Sequence, residues 1–424
     1  VALKGDNFDA HQFVKQAAEA GAGALMVEQN IESVLPLVKV ESTHKALMGL
    51  ASWWRSQFVL PLIGVTGSVG KTTVKEMLAC IFAELGKGVV TEGNLNNEIG
   101  APLTLMRLES SDLYAVIEMG MNHAGEIGRI SCMAKPTVAL INNAAAAHLE
   151  GLGSIDAVAK AKGEIYQGLS KDGVAVINAD DEFAPVWKSL ADGHKILSFG
   201  LTSEADVRGE YKEKNGRLVV KVTTKKESFK VKVNAVGEHS VRNVLAATAA
   251  ALAANVPTNA IQQGLAKFAP VNGRMNIDTL AGVTIINDTY NANPASMRAA
   301  INVLVKHDDN TLIVGDMAEL GAATETEQKT LGEQAAKRGV KTLLSCGRYA
   351  SIVADAFLSE SVTGKAVAFA SQTELIDYLQ DNAPTGTVLI KGSRSAKMEL
   401  IVEAIHKQLS ESSQHNMFAV SEEQ

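Results

Sequence analysis

An apolar run over residues 58–65 leads into Gly64-Val-Thr-Gly-Ser-Val-Gly-Lys-Thr-Thr, and helical spacing takes over from Lys71 to residue 85. Strand, glycine-rich turn and helix in that order make a βα unit, which commits the chain to a parallel sheet covered by helices. Glycines let backbone N–H groups converge, and the helix start adds a positive dipole, so such a turn suits phosphate oxygens. Thr66, Gly67, Ser68, Val69, Gly70, Lys71, Thr72 and Thr73 form the expected cradle. Lys71 would reach the β- and γ-phosphates and the Thr72 hydroxyl would ligate Mg²⁺. The strict phosphate-loop spacing fails at one place, because Val65 stands five residues before Gly70, while glycines occupy 64 and 67. The competing reading is an ordinary glycine turn before a helix. ATP is favoured over GTP because no Asn-Lys-x-Asp segment is present to read guanine.

The 424 residues allow two to four domains of ordinary size. Residues 1–55 read as a strand end, a helix over 10–20, a short strand over 24–27 and a second helix ending near Ser56. The opening Val-Ala-Leu-Lys-Gly looks like a strand end without an upstream partner, so this piece is expected to be the remnant of a truncated domain. Residues 56–272 form the expected central nucleotide-binding domain, with further strands at 114–118, 137–141 and 174–177. Period-two alternation between 206 and 236 predicts an antiparallel hairpin patch, and an Ala-rich helix follows over 241–254. A second βα series, with strands near 283–287, 311–314, 342–345, 366–370 and 387–390, predicts a Rossmann-like domain over 273–410. The polar end from Ser410 lacks periodicity, and 411–424 is expected to be a mobile tail. The fold class is therefore α/β, with parallel sheets in two domains.

With 46% hydrophobic, 21% charged and 5% aromatic residues, the composition is globular. A formal charge of −7 argues against broad contact with nucleic acid. Cys80, Cys132 and Cys346 lack CxxC spacing, which excludes a zinc knuckle or disulfide framework and fits a cytoplasmic setting. Apolar runs fall short of the roughly 20 residues a membrane span needs.

Thr66-Gly-Ser-Val-Gly-Lys-Thr-Thr resembles the nucleotide loop of the Mur ligases, the ATP-dependent amide-forming enzymes of peptidoglycan precursor synthesis. Gly93-Asn-Leu-Asn-Asn-Glu, Glu118-Met-Gly-Met-Asn, the segment around His148, Ala161-Lys-Gly-Glu-Ile-Tyr, Gly237-Glu-His-Ser-Val-Arg-Asn and Asn272-Gly-Arg follow in family order. Asp288-Thr-Tyr-Asn-Ala-Asn-Pro, Gly315-Asp-Met-Ala-Glu-Leu-Gly and Lys391-Gly-Ser-Arg-Ser-Ala are most similar to the branch that adds D-alanyl-D-alanine to UDP-N-acetylmuramoyl-tripeptide. Ser240 stands where the family usually has Asn, and Gln328 where a His is common.

The resemblance implies a three-domain ligase, monomeric, whose first domain holds the UDP substrate. It would phosphorylate a carboxylate with ATP and let an amine displace the phosphate. Such a site needs cations and fixed donors where anions gather. Two Mg²⁺ ions are expected: one on Thr72 and Glu118, a second near His148 and Lys162. The family likeness of Lys162-Gly-Glu-Ile-Tyr implies that Lys162 is carbamylated, which would replace a repelling ammonium by oxygen ligands. Lys160 is its neighbour on another helix face. Arg274 is the expected phosphate clamp from the next domain; its bland reading is a linker arginine. Asn243 is a candidate for adenine, and Asp288 and Asn291 for ribose or purine, against helix-surface and turn roles. Asn94, Asn96 and Asn97 are candidates for orienting the substrate peptide, or for satisfying backbone groups instead. Arg394 is a candidate for the dipeptide carboxylate. His239 reads as a helix-start residue before a metal ligand, and His123 is a weaker case. Rival functions are a single-amino-acid Mur ligase, a folylpolyglutamate synthetase, or a nucleotide-driven switch. A Leu-Ser-Gly-Gly signature and a strand ending in Asp-Glu are both missing from the chain, which argues against the last.

Overall fold

The computed structural model describes residues 1–424 apart from Asp6, Asn215 and 422–424, and leaves the side chains of 412–421 undescribed. A nine-stranded sheet forms the central domain. Its strand Leu62–Thr66 is fully buried and pairs in parallel with Ala115–Glu118 on one side and Val138–Ile141 on the other. Val89–Val90 closes one edge, and Val174–Asn178 and Lys195–Gly200 extend the other, all parallel. The chain leaves Leu62–Thr66 toward the nearer edge and returns on its opposite side, so a crevice opens at the strand's carboxyl end.

Helices cover both faces of this sheet. The phosphate-loop helix Lys71–Ala83, the alanine-rich helix Glu238–Ala253 and the helix Thr258–Lys267 bury one apolar cluster. Thr43–Arg55, Gly100–Leu105, Glu126–Ala134 and Ile155–Gly163 bury the other. Arg55 ends its helix with a buried guanidinium donating to the carbonyls of Ala134, Phe58 and Leu60. Those bonds hold residues 58–60 in a loop, so the strand begins at Leu62, later than its apolar run predicts.

The hairpin expected between 206 and 236 is a three-stranded extension instead. Val207–Lys214 joins the edge of the sheet in parallel, and Arg217–Thr223 and Ser228–Val233 continue it antiparallel. Lys195–Gly200 gave no clean period because its neighbours cover it unequally. The two-residue strand Val89–Val90 is too short to carry one.

The C-terminal domain is a six-stranded sheet with apolar clusters on both faces. The antiparallel edge strand Asn276–Leu280, absent from the sequence reading, pairs with Val283–Asp288. Thr387–Lys391, Asn310–Gly315, Thr342–Cys346 and Lys365–Phe369 follow in parallel. Residues 1–55 carry a small parallel pair, Leu25–Val27 with Leu37–Lys39, the second strand also unanticipated because all its residues are exposed. The tail expected over 411–424 is helical as far as Ser421. One helix runs over Glu399–Ser421, since Glu, Gln, Ala and Met sustain a helix without an apolar stripe. The last three residues of that expectation lie outside the described residues.

Asp180 ties the end of Val174–Asn178 to two neighbours. Its carboxylate accepts from the N–H groups of Leu201, Thr202 and Ser203 and from the Thr202 hydroxyl, and it pairs with Arg242 of the alanine-rich helix. Burial pushes this carboxyl up, but the hydrogen bonds outweigh it and hold it down at about 2, against an ordinary 3.8. A carboxyl lowered by folding stabilises the fold above its unfolded value and ceases to as pH falls through its folded one. Asp180→Asn is therefore expected to cost about 1 kcal/mol at pH 7, with solvent screening allowed for. The gap to wild type should narrow between about pH 4 and about pH 2 in denaturant unfolding; a gap independent of pH would refute the assignment.

Candidate active site

The carboxyl ends of both sheets open on one cleft of about 430 Å³. From the central sheet come the phosphate loop and Glu118, and from the C-terminal sheet come Asp288, Lys391 and the segment ending at Glu319.

Left-handed backbone at Gly70 (φ 81°) begins the phosphate-loop helix. A Cβ there would fall 2.5 Å from Asn243 Oδ1 and 2.7 Å from Asn142 Nδ2, so both space and conformation require glycine. The loop is braced from the turn after Val138–Ile141. Ser68 N–H donates to the Asn143 carbonyl, Val69 N–H to Asn143 Oδ1, and Ala145 N–H to the Ser68 hydroxyl. Asn142 Nδ2 donates to the Val69 carbonyl and to Asn243 Oδ1, both at 2.9 Å. In the sequence, the paired asparagines directly after an apolar strand are the signal for this brace.

Lys71 Nζ folds back onto the Gly67 carbonyl at 2.7 Å. Burial lowers its pKa; Glu118 and Glu319 oppose that, and Arg274 adds to it. Thr72 Oγ1 donates to Glu118 Oε2 at 2.9 Å, and Asn96 Nδ2 to Glu118 Oε1 at 2.8 Å. Thr66 spends its hydroxyl on the Met119 carbonyl, so within the cradle it is a strut. Thr73 lines the cleft.

Lys162 is 1% exposed and Lys160 lies in solvent, so the helix separates the two as expected. Burial, reinforced by the Lys71 charge, drives the Lys162 ammonium well below its ordinary range. His148 has left-handed backbone (φ 56°), and its Nδ1 meets Glu319 Oε2 at 2.8 Å. Arg274 stacks its guanidinium 3.9 Å from the Tyr290 ring centre, and its buried Nε has no hydrogen-bond partner.

Several candidates carry duties that narrow their roles. Asn243 is committed through Oδ1 to Asn142 beside Gly70, which ties it to the phosphate loop. Asn97 Oδ1 accepts from Ile99 and Gly100 N–H groups and caps the short helix there, the backbone role its residue type allowed. Asn94 is exposed at the cleft. Asp288 pairs with the buried Lys391 at 2.5 Å and accepts from Met275 N–H, while Asn291 holds Ala292 N–H. Arg394 lies at the rim, exposed and paired with Glu399. His239 occupies the second position of the alanine-rich helix and faces the cleft, with burial lowering its pKa. His123 is exposed beside Glu126.

Among the described residues no three His, Cys, Asp or Glu side chains converge on one point as metal ligands. Mg²⁺ makes little demand of that kind, since it keeps waters and takes phosphate oxygens with one or two protein ligands. The hard oxygens of Thr72 and Glu118 fit that requirement.

Two family models match the chain, the Mur ligase middle domain over residues 65–251 and the Mur ligase, glutamate ligase domain over 273–394. The chain is 40% identical over 415 residues to the UDP-N-acetylmuramoyl-tripeptide–D-alanyl-D-alanine ligase of Escherichia coli (strain K12), covering 96% of this chain and 90% of that protein. It is 32% identical to the ligase of the same description from Bacillus subtilis (strain 168), at 95% and 89% coverage. Among solved structures, MurF from Acinetobacter baumannii superposes with a TM-score of 0.89 at 37% identity, over 96% of this chain and 90% of that one. MurF from Thermotoga maritima in complex with ADP gives a TM-score of 0.83 at 26% identity, over 97% and 94%.

Gly70→Ala is expected to weaken ATP binding by about 100-fold, since the strain and the displaced asparagines together cost ~3 kcal/mol. Gly193 has a similar left-handed backbone (φ 83°) with open space around it. Gly193→Ala should leave calorimetric ATP affinity unchanged, and equal losses in the two variants would refute the packing argument.

Proposed function

The chain belongs to the Mur ligase family, and from that premise we propose that it joins D-alanyl-D-alanine to UDP-N-acetylmuramoyl-tripeptide, converting ATP to ADP and phosphate. The observation that carries the reading is the convergence of Lys71, Thr72 and Glu118 with Arg274 on one cleft, in a chain resembling dipeptide-adding ligases along nearly its whole length.

The tripeptide's terminal carboxylate is a poor electrophile until phosphorylated. In this assignment the phosphate-loop N–H groups and Lys71 hold the β- and γ-phosphates, and Arg274, braced on Tyr290, meets the transferring group from the opposite side. The dipeptide's amine then attacks the acyl phosphate and phosphate leaves. Lys71 and Arg274 keep the phosphate oxygens in line, and the apposed domains exclude water that would otherwise hydrolyse the intermediate. Thr72 and Glu118 would hold a Mg²⁺ ion, which supplies charge neutralisation between the phosphates. Asn96 keeps the Glu118 carboxylate in place.

Lys162 supports the carbamate assignment through its environment. A dry, like-charged neighbourhood favours its neutral amine, the form that adds to CO₂. The N–C bond forms, one proton is released, and the product carries two oxygens. Those oxygens, with His148 as a nitrogen neighbour, are the proposed seat of a second Mg²⁺. Asp288 and Asn291 are assigned to the nucleoside side, Asn94 and Asn96 to the tripeptide, and Arg394 to the dipeptide carboxylate. The proposed division is 1–55 for the UDP substrate, 56–272 for ATP and 273–410 for the dipeptide. The proposed setting is the cytoplasm and the proposed state a monomer.

Phosphate release from ATP should require UDP-N-acetylmuramoyl-tripeptide and D-alanyl-D-alanine together; turnover with either alone would sink the ligase reading. Lys162→Ala should reduce ligation by about 100-fold or more while calorimetric ATP affinity stays within about twofold. Retained ligation would remove the carbamate from the mechanism.

A further inference from the structure

The segment Gly315 to Gly321 leaves the C-terminal sheet and touches the central domain beside His148. It is anchored at its root. Asp316 accepts from the N–H groups of Arg348 and Tyr349, and Gln328, itself 1% exposed, donates Nε2 to the Met317 carbonyl. The Gln328 amide thus fixes the loop that carries Glu319. At the tip, the Glu319 carbonyl accepts from Glu150 N–H at 3.4 Å, and Gly321 (φ 56°) sits where a Cβ would come within 3.3 Å of Glu150 Cα.

Two residues face each other there in a conformation that non-glycine side chains rarely adopt: His148 at φ 56° and Glu319 at φ 62°. Both backbones are turned so that the Glu319 carboxylate reaches His148 Nδ1. Backbone in this region persists where surrounding structure imposes it, and it gathers at working sites. The pair contributes little to stability, since the Glu319 side chain is 52% exposed. What the contact supplies is orientation. A ring that gives its Nδ1 proton to a carboxylate carries its electron pair on Nε2, with its rotation fixed.

We propose that Glu319 is a positioning residue that reaches across the cleft to fix the tautomer and rotation of His148, so that His148 Nε2 is aimed into the site only when the C-terminal domain is seated on the phosphate-loop domain. Closure and assembly of the reacting centre are then one event. The proposal rests on the ligase reading for its kinetic consequence and on the contact alone for its spectroscopic one.

The test uses the full chain with Glu319→Ala, Glu319→Gln, His148→Ala and the double variant Glu319→Ala/His148→Ala. Glu319→Ala should lower kcat by about 10- to 100-fold, the usual effect of removing a partner that orients a ligand-binding histidine. KM for ATP should stay within about twofold. The double variant should be no slower than His148→Ala, because Glu319 acts through the ring. Imidazole ¹⁵N spectra should show the Nδ1–H tautomer of His148 in the wild type and a mixed signal in Glu319→Ala. Glu319→Gln keeps an oxygen acceptor and the side chain's shape, so it should retain the tautomer and part of kcat. Additive losses in the double variant, or an unchanged His148 spectrum in Glu319→Ala, would overturn the proposal. A wild type that shows the tautomer shift but makes no peptide bond would instead overturn the ligase reading and leave the positioning role standing.

Discussion

Lys71, Arg274, Lys391 and Arg394 line one cleft and Lys162 is buried within reach of the Lys71 charge, and the rest of the site is organised around that repulsion. Lys71 and Lys162 are both held below the ordinary ammonium range, by burial first and then by a neighbouring positive charge, Arg274 for one and Lys71 for the other. Glu118 and Glu319 offset part of the field at Lys71. A folded protein tolerates such a cluster where a polyanion is meant to complete it, because fixed charges that need no rearrangement stabilise charge arriving with the substrate. Lys71 rests on the Gly67 carbonyl and Arg274 lies on the Tyr290 ring.

The fold delivers these groups by a simple device used twice. Parallel strands end at one edge, and where the chain order reverses the helix starts diverge and leave a crevice. The central sheet contributes the glycine loop and Glu118 from adjacent parallel strands, Leu62–Thr66 and Ala115–Glu118. The second sheet contributes Asp288 and Lys391 from another adjacent pair. Their ion pair is anchored on the buried Lys391, which also donates to the carbonyls of Asp288 and Asn291. It fixes the turn that presents Tyr290 to Arg274.

Much of this was legible in the chain. The phosphate loop is local: strand, glycines, lysine and threonines are contiguous, and each acts through backbone placed by its own sequence. Glu118 ends an apolar run and so had to stand at a strand terminus. The choice of Lys162 over Lys160 came from the family likeness of Lys-Gly-Glu-Ile-Tyr; helix geometry set the two on different faces, and burial of one with exposure of the other agrees with that separation. Less legible was the bracing. Asn142 and Asn143 look like ordinary loop amides until the loop 74 residues away is seen to hang on them. Asn97 looked available for a substrate, yet its oxygen is spent on a helix start. The helix that continues past Ser410 left no periodic signal because amphipathic periodicity reports burial, whereas a polar helix needs only propensity.

The sequence by itself determined the phosphate cradle, the α/β class and the family, because glycine conformational freedom, strand–helix alternation and contiguous motifs are properties of short segments. Tertiary structure alone decided which polar side chains are free to act. Whether Asn243 faces a ligand or Asn142, whether Lys162 is dry, and whether His148 meets Glu319 depend on contacts between residues up to 171 positions apart. Burial and electrostatic field are sums over neighbours in space, and no run of adjacent letters contains them.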